Sequence, residues 1–276
     1  PPPGGEAAGG GPRGAAMKTV ARRWVGLLVS VRDAGEAAAA VAGGAAIVDV
    51  KEPALGPLAA AAAAAAAAIA DVVGASVPWT VACGELAVGG AAAAAHVARA
   101  SAALGTGVPR PSAAKAGPAG LTLDDWRREF AAFAAALPSA VEPVAVAYAD
   151  WKSASSPCPA DIVAMAAAAG CRTLLIDTFD KDAAGILEPP TGGFLAGWIA
   201  EAHAAGMAVA VAGRIAVPDV RRVADLGADV VAVRSAVCRG GRMGVVDRAL
   251  VASVASAAAT LTCDTYRRVQ SPGAAP

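Results

Sequence analysis

Short runs of consecutive apolar residues recur along the chain, and a longer alanine-rich segment follows each of them. The runs are rich in β-branched residues and are apolar at successive positions, which is typical of strands covered on both faces. We predict strands at residues 25–31, 46–50, 77–83, 144–148, 173–176, 207–212 and 230–233.

The alanine-rich segments predict helices, because alanine is the strongest helix former and several of the segments stop at a glycine, such as Gly170 or Gly206. We predict helices at residues 34–41, 58–73, 91–103, 123–137, 162–168, 194–204 and 217–226.

The alternation requires one more strand between Gly105 and Leu121, where only the segment PSAAKAG is available and its residues are poor strand formers. Eight strand–helix units at intervals of roughly 20 to 35 residues predict an α/β fold, a single (β/α)8 TIM barrel. An open doubly wound sheet is the alternative. No G-x-G-x-x-G motif follows the first strand, which argues against a dinucleotide-binding version of that sheet.

The two ends of the chain differ from this repeating part. Residues 1–16 are rich in proline, glycine and alanine, so we expect a disordered N-terminal extension before a biological start at Met17. We place the catalytic barrel at residues 17–264 and expect a disordered tail at residues 265–276.

Composition excludes several classes of function. The 276 residues include 23 Lys+Arg and 23 Asp+Glu, and this zero net charge argues against a nucleic-acid or membrane partner. Five cysteines without a C-x-x-C pair, and only two histidines, predict neither a disulfide framework nor a metal site. We expect a cytoplasmic protein with a small-molecule substrate, no metal and no cofactor, and we expect a homo-oligomer.

The positions of the lysines point to chemistry. Only five of the 23 basic residues are lysines, so arginine serves where a plain charge suffices. Lys18 is near the start, but Lys51, Lys115, Lys152 and Lys181 each lie at or just beyond the end of a predicted strand. Strand ends converge on the active-site face of a barrel, and a lysine amine can form a Schiff base with a carbonyl. For Lys152, a solvated loop position is an equal alternative.

Aspartates accompany these lysines. Asp49 stands two residues before Lys51, so both side chains point to the same face of a strand, and its carboxylate could steady an ammonium or take its proton. Asp150 and Asp177 follow other strands at the same edge. They are candidates for a general acid or base, with capping of the next helix as the alternative.

Glycine-rich segments predict sites for phosphate. Barrels often bind phosphate on backbone amides after strands seven and eight. The candidates there are the amides of Gly213, Ser235 and Ala236 and the charge of Arg234. Gly117 and Gly120, beside Lys115, are candidates for a second anion. The residues alone thus predict aldolase-like or dehydratase-like chemistry on small phosphorylated carbonyl compounds.

Several motifs resemble a known family. The sequence D-V-K-x-P-x-x-G begins at Asp49, L-x-D-T-x-x-K-D begins at Leu175, and K-A-G-P-A-G begins at Lys115. Together with AVAYAD and DVVAVRSAVCRGG, they are similar in order to the (5-formylfuran-3-yl)methyl phosphate synthases, also called 4-(hydroxymethyl)-2-furancarboxaldehyde-phosphate synthases. The resemblance runs from about Leu27 to Gly241.

The resemblance implies a lyase that joins two molecules of glyceraldehyde 3-phosphate into a phosphorylated furan aldehyde, with loss of phosphate and water, for a methanofuran-type one-carbon carrier. It implies that Lys51 forms the Schiff base, that Lys115 accepts the proton, and that Asp177 and Lys181 assist as acid or base. No family role falls on Lys152.

Two alternatives to this function are also compatible with the sequence. A Schiff-base aldolase of the TIM-barrel class could act on another phosphorylated sugar, or the barrel could be non-catalytic and serve as a binding partner. Analysis of the product distinguishes the furan synthase from another aldolase. Trapping of a substrate adduct on a lysine distinguishes an enzyme from a non-catalytic barrel.

Overall fold

A computed structural model describes residues 24–189 and 191–258 of the chain. Its eight parallel strands hydrogen-bond in chain order and close into a barrel, which confirms the predicted (β/α)8 architecture. The strands are β1 (Gly26–Val31), β2 (Ile47–Val50), β3 (Trp79–Glu85), β4 (Ala113–Gly117), β5 (Glu142–Tyr148), β6 (Thr173–Asp177), β7 (Ala208–Val211) and β8 (Val230–Val233).

Helices follow the strands and cover the outside of the barrel. They are α1 (Ala34–Ala42), α2 (Ala63–Val73), α3 (Gly90–Ala102), α4 (Leu123–Ala136), α5 (Pro159–Ala168), α6 (Leu195–Ala204), α7 (Val220–Asp225) and α8 (Arg248–Ala258). Helix α2 begins later than predicted, because residues 58–62 stay in a loop in which Leu58 is buried at the top of the barrel and Ala59 accepts a hydrogen bond from the Glu52 amide. Helix α8 has no counterpart among the predicted helices.

Strand β4 shows tertiary context overriding propensity. Its alanines favour a helix, yet residues 113–117 are all buried and pair with β3 on one side and β5 on the other. Closing the barrel satisfies the backbone hydrogen bonds of this segment, which no isolated strand of alanine could do. A register shift in β3 between Ala82 and Glu85, with Gly84 at φ +84°, adjusts the pairing near the top of the barrel.

Two apolar layers hold the barrel. Inside, side chains such as Leu28, Ile47 and Leu175 form one apolar cluster that faces the lumen. Outside, residues of the strands and helices form a second layer that includes Val29 and Ile69. Full burial of one such side chain stabilises the fold by about 1.5–3 kcal/mol, so these two layers contribute much of the stability of the barrel that carries the upper face.

A short antiparallel hairpin extends the loop after β8. Strand β9 (Cys238–Arg239) pairs with β10 (Val245–Val246), and a 3-10 turn at Gly241–Met243 joins them. No helix among residues 24–189 and 191–258 is long and apolar enough to cross a membrane. The predicted extension, the start at Met17 and the predicted tail lie outside the described residues.

Candidate active site

One pocket opens at the carboxyl ends of the strands, with about 1120 Å³ of space including its open mouth. Its wall brings together eight of the residues singled out in the sequence. Five are the candidate catalytic residues Asp49, Lys51, Lys115, Asp177 and Lys181, and three are the candidate phosphate-binding residues Gly213, Arg234 and Ser235. Lys152 is not part of this wall. It is exposed and lies 5.4 Å from the ring centre of its neighbour Trp151, as the solvated-loop alternative expected.

Asp49 is the centre of a hydrogen-bonded cluster. It lies in register with Ser30 on β1 and Thr80 on β3, and their hydroxyl groups donate to its carboxylate at 3.1 Å and 2.7 Å. Lys115 on β4 forms a buried ion pair with the same carboxylate. Burial alone would raise the pKa of Asp49, but the charges of Lys115 and Lys51 outweigh it, so the pKa lies below its usual value. Asp49 is therefore a carboxylate that holds the Lys115 ammonium.

Lys51 is a buried amine with a different environment. The residue is only 7% exposed, and its Nζ donates no hydrogen bond to any described residue. Burial lowers the pKa of Lys51 to about 8; the charge of Lys181 acts in the same direction, whereas Asp177 and Asp49 oppose it. A pKa near 8 leaves about one amine in ten neutral at pH 7, which suits a nucleophile toward carbonyl groups.

Asp177 and Lys181 form a second pair across the pocket. Lys181 Nζ lies 2.7 Å from Asp177 Oδ1, and the Thr178 amide donates to the same oxygen at 2.8 Å. Burial would raise the pKa of Asp177, but Lys181 and Lys51 outweigh it, and the pKa lies below its usual value. Asp177 is thus an ionised group between two lysines rather than a helix cap.

Asp150, which follows the neighbouring strand β5, supports this pair. Its carboxylate accepts hydrogen bonds from the amides of Phe179 and Asp180 at 2.7 Å and 2.8 Å. It caps no helix, since α5 begins at Pro159, and it is not in the pocket wall. Asp150 therefore fixes the loop that carries Lys181.

The ends of β7 and β8 present free backbone amides. Gly213 and Ser235 line the pocket, Ala236 follows directly, and the amides of these three residues donate to no other described residue. Gly213 has φ +110°, and a Cβ there would come within 2.9 Å of Thr178 Cγ2, so only glycine fits. Unpartnered amides at this place in a barrel are suited to a phosphate.

Arg234 has a structural role rather than the predicted phosphate contact. Its guanidinium pairs with the buried carboxylate of Glu36 at 2.8 Å and 3.1 Å. The remaining N–H groups donate to the carbonyl oxygens of Ser30, Arg242 and Gly244. All five donors are occupied by protein acceptors, so Arg234 has no N–H left for a substrate.

Gly117 also differs from the prediction. A Cβ on this glycine would lie 2.1 Å from Glu85 Oε2 and 2.3 Å from the Tyr148 hydroxyl. That hydroxyl donates to Glu85 Oε1 at 2.7 Å, and the Ala119 amide donates to Oε2 at 3.1 Å. The acidic group beside this glycine segment is therefore the protein's own Glu85, whose pKa is raised by burial, and Gly117 is small because Glu85 fills the space.

Sequence reasoning missed several residues of the site. Ser30 and Thr80 are polar positions inside otherwise apolar strands, and that interruption was the available signal. Arg242 lines the pocket from the turn between β9 and β10, and its only sequence signal is its place after Gly240 and Gly241. Within residues 24–189 and 191–258, no group of three His, Cys, Asp or Glu side chains is placed to hold a metal ion.

Comparison with known proteins agrees with these motifs. The family model described as 4-HFC-P synthase matches residues 27–255. The chain belongs to this family. It is therefore an enzyme, and the resemblance read from the motifs is confirmed.

Two relatives and one solved structure illustrate the match. A (5-formylfuran-3-yl)methyl phosphate synthase of Archaeoglobus fulgidus is 29% identical over 84% of this chain and 98% of its own length. One from Methanopyrus kandleri is 32% identical over 84% of this chain and 98% of its own length. The crystal structure of a dihydrodipicolinate synthase from Agrobacterium tumefaciens shares the fold, with a TM-score of 0.58 and 16% identity over 90% of this chain and 80% of that one.

Proposed function

We propose that this member of the family condenses two molecules of glyceraldehyde 3-phosphate into (5-formylfuran-3-yl)methyl phosphate through a Schiff base on Lys51. The balance of the reaction releases one phosphate and two water molecules. The observation that carries the proposal is the difference among the pocket lysines. Lys115 and Lys181 are paired with aspartates, whereas Lys51 has no hydrogen-bond partner among the described residues and a pKa of about 8.

The chemistry assigns each group a step. The neutral Lys51 amine attacks the aldehyde carbon of one triose phosphate, water leaves, and the resulting imine makes the neighbouring C–H bond acidic. Lys115, which passes its own proton to Asp49, takes that proton and gives an enamine. The enamine expels the phosphate from C3, which leaves an enol whose terminal carbon is the nucleophile. No metal or cofactor is needed, because the imine nitrogen accepts the electron pair.

The second triose phosphate then reacts as the acceptor. That terminal carbon bonds to C2 of this triose, which reacts as its ketone isomer dihydroxyacetone phosphate, and the Asp177–Lys181 pair on the opposite wall donates a proton to the new alkoxide. Ring closure by the C1 hydroxyl oxygen of the acceptor onto the remaining ketone carbon and loss of two water molecules then give the furan. Hydrolysis of the imine frees Lys51.

Phosphate recognition is part of the same proposal. The free amides of Gly213, Ser235 and Ala236 are suited to one of the two phosphate groups. In a cell the product would supply a methanofuran-type carrier, a role that the motif resemblance supports.

The test is to incubate the purified protein with glyceraldehyde 3-phosphate alone and to follow furan absorbance and phosphate release together. Lys51→Ala and Asp177→Ala should each remove both signals, and borohydride should trap an adduct on Lys51 in the unsubstituted protein. Lys152→Ala is the matched control, because this lysine is exposed outside the pocket. A folded protein that gives neither signal, but is trapped at Lys51 by another sugar phosphate, would be the alternative aldolase.

A further inference from the structure

Arg242 extends from the turn at Gly241–Met243 across the top of the barrel. Its Nη2 donates to the carbonyl oxygen of Gly56, in the loop after β2, at 3.2 Å. It shares the pocket wall with Lys51, Asp177 and Lys181, and its charge is close enough to contribute to the lowered pKa of Lys51. The residue therefore links the loops after β2 and β8 over the reacting groups.

Most of the Arg242 donors have no hydrogen-bond partner among the described residues. A guanidinium has five N–H groups, and the bond to Gly56 uses one of them. None of the described carboxylates lies within 4.0 Å of it. Burial lowers the pKa of Arg242, and the charges of Asp177 and Asp182 act against this only in part. A half-buried cation without a protein anion is suited to an anionic ligand.

Arg234 fixes the backbone that carries Arg242. The Arg234 Nε donates to the Arg242 carbonyl oxygen at 2.8 Å, and its Nη2 donates to that of Gly244 at 3.1 Å. Arg32 donates to the same Gly244 oxygen at 3.1 Å. Because Arg234 is itself clamped by the buried Glu36 carboxylate, the turn is anchored on both sides of Met243. Arg234 therefore holds the turn in place, and Arg242 faces the pocket.

We propose that Arg242 forms a second phosphate subsite, separate from the free amides at the ends of β7 and β8, and binds the phosphate monoester of one of the two triose phosphates. This inference rests on the proposed function, which requires two phosphate groups in one pocket. Apart from Arg234, which is paired with Glu36, five basic and three acidic side chains line the wall, an excess of positive charge that suits phosphate groups. A planar guanidinium can contact a phosphate through two parallel N–H groups, which a lysine cannot do.

The first test measures the binding stoichiometry of sn-glycerol 3-phosphate by isothermal titration calorimetry. This compound carries the phosphate monoester but has no carbonyl, so it cannot form an imine. We expect two sites per chain in the unsubstituted protein and one in Arg242→Gln. Arg239→Gln is the matched control, because Arg239 lies in the same hairpin, is exposed and pairs with Asp247 at 2.6 Å. Two unchanged sites in Arg242→Gln, or a single site that this change leaves unaffected, would overturn the proposal.

The second test separates failure of this proposal from failure of the proposed function. With glyceraldehyde 3-phosphate, Arg242→Gln should raise KM about 10- to 100-fold with a smaller change in kcat, and Arg242→Lys should recover part of the loss. Furan formation with an unchanged KM in Arg242→Gln would reject the subsite and keep the function. No furan from the unsubstituted protein, but loss of one glycerol 3-phosphate site in Arg242→Gln, would reject the function and keep the subsite. Thermal unfolding of each variant excludes misfolding as the cause.

Discussion

The carboxyl ends of β2 and β4 face the same pocket and each carries a buried lysine, but the two ends are built differently. At β4, Lys115 is paired with Asp49, and the space beside Gly117 is filled by Glu85. At β2, Lys51 is surrounded by charged side chains, but it forms no hydrogen bond with any of the described residues. The protein thus closes one strand end with its own carboxylates and leaves the other open for a ligand.

The pairing reverses an expectation from the sequence. Asp49 stands two residues from Lys51 and on the same face of β2, and this spacing predicts that its carboxylate could steady that ammonium. Instead it contacts Lys115, 66 positions away, together with the hydroxyl of Thr80. The lysine nearest to Asp49 in sequence nevertheless has a lowered pKa, because burial outweighs the opposing charges of Asp177 and Asp49. The comparison shows that a buried lysine becomes reactive when no carboxylate forms a hydrogen bond with its ammonium.

The largest expected effect is on catalysis at the end of β2, the open end that carries Lys51. Lys51→Met should lower the rate of furan formation by about 10³-fold or more, because no other pocket lysine is free of an aspartate partner. The rate is measured from furan absorbance, with Lys152→Met as the control. A Lys51→Met enzyme that keeps a tenth of the rate would place the imine elsewhere.

The next effect is on stability and has opposite signs at the two ends. Lys115→Met should reduce the free energy of unfolding by about 3–5 kcal/mol, because it leaves the Asp49 carboxylate buried without its cation. The double variant Asp49→Asn/Lys115→Met should recover part of this loss. Urea unfolding at pH 7 measures both.

Lys51→Met, in contrast, should raise the free energy of unfolding by about 1–3 kcal/mol. The folded pKa of Lys51, about 8, lies below the unfolded value of 10.5. The unfolded chain therefore binds this proton more tightly, and the protonated group costs stability at all pH values below about 8. That cost decreases between pH 8 and 10.5 and is absent in the methionine variant. If Lys51→Met and Lys115→Met changed the free energy of unfolding in the same direction, the proposed difference between the ends of β2 and β4 would be contradicted.

Closure of the β4 end can be tested at Gly117. A methyl group there would overlap Glu85 Oε2 at 2.1 Å, so Gly117→Ala should destabilise the fold by about 1–3 kcal/mol. Gly197→Ala is the control, because nothing lies within 4 Å of its added Cβ and alanine favours the helix. A phosphate-binding Gly117 would instead lose ligand affinity without loss of stability.

The smallest effect is the pH dependence of imine formation at the open end. The neutral Lys51 amine becomes tenfold rarer with each pH unit below its pKa of about 8, so the borohydride trapping rate should rise with pH and level off above 8. The rate is followed by mass spectrometry of the trapped adduct. A rise that continues to pH 10.5 would mean that the reacting amine is an ordinary exposed lysine.

The sequence by itself determined the repeating architecture of this protein. Apolar runs and alanine-rich segments are local patterns, and strand and helix formation follows from them, so seven of the eight strands were placed closely. The lysines at strand ends then marked the active-site face, because parallel strands in a barrel all end on one side. The weak strand β4 could be located only because the alternation required it.

Only the tertiary structure decided which groups at that face are free. Burial and hydrogen bonding depend on residues that are far apart in the chain, as with Arg234 and Glu36, which are 198 positions apart. For that reason a predicted phosphate-binding arginine became an anchor, and Arg242, which no sequence pattern had marked, became the cation facing the pocket. Residue type at a strand end follows from the sequence, whereas the partner of each charge is fixed by the closure of the barrel.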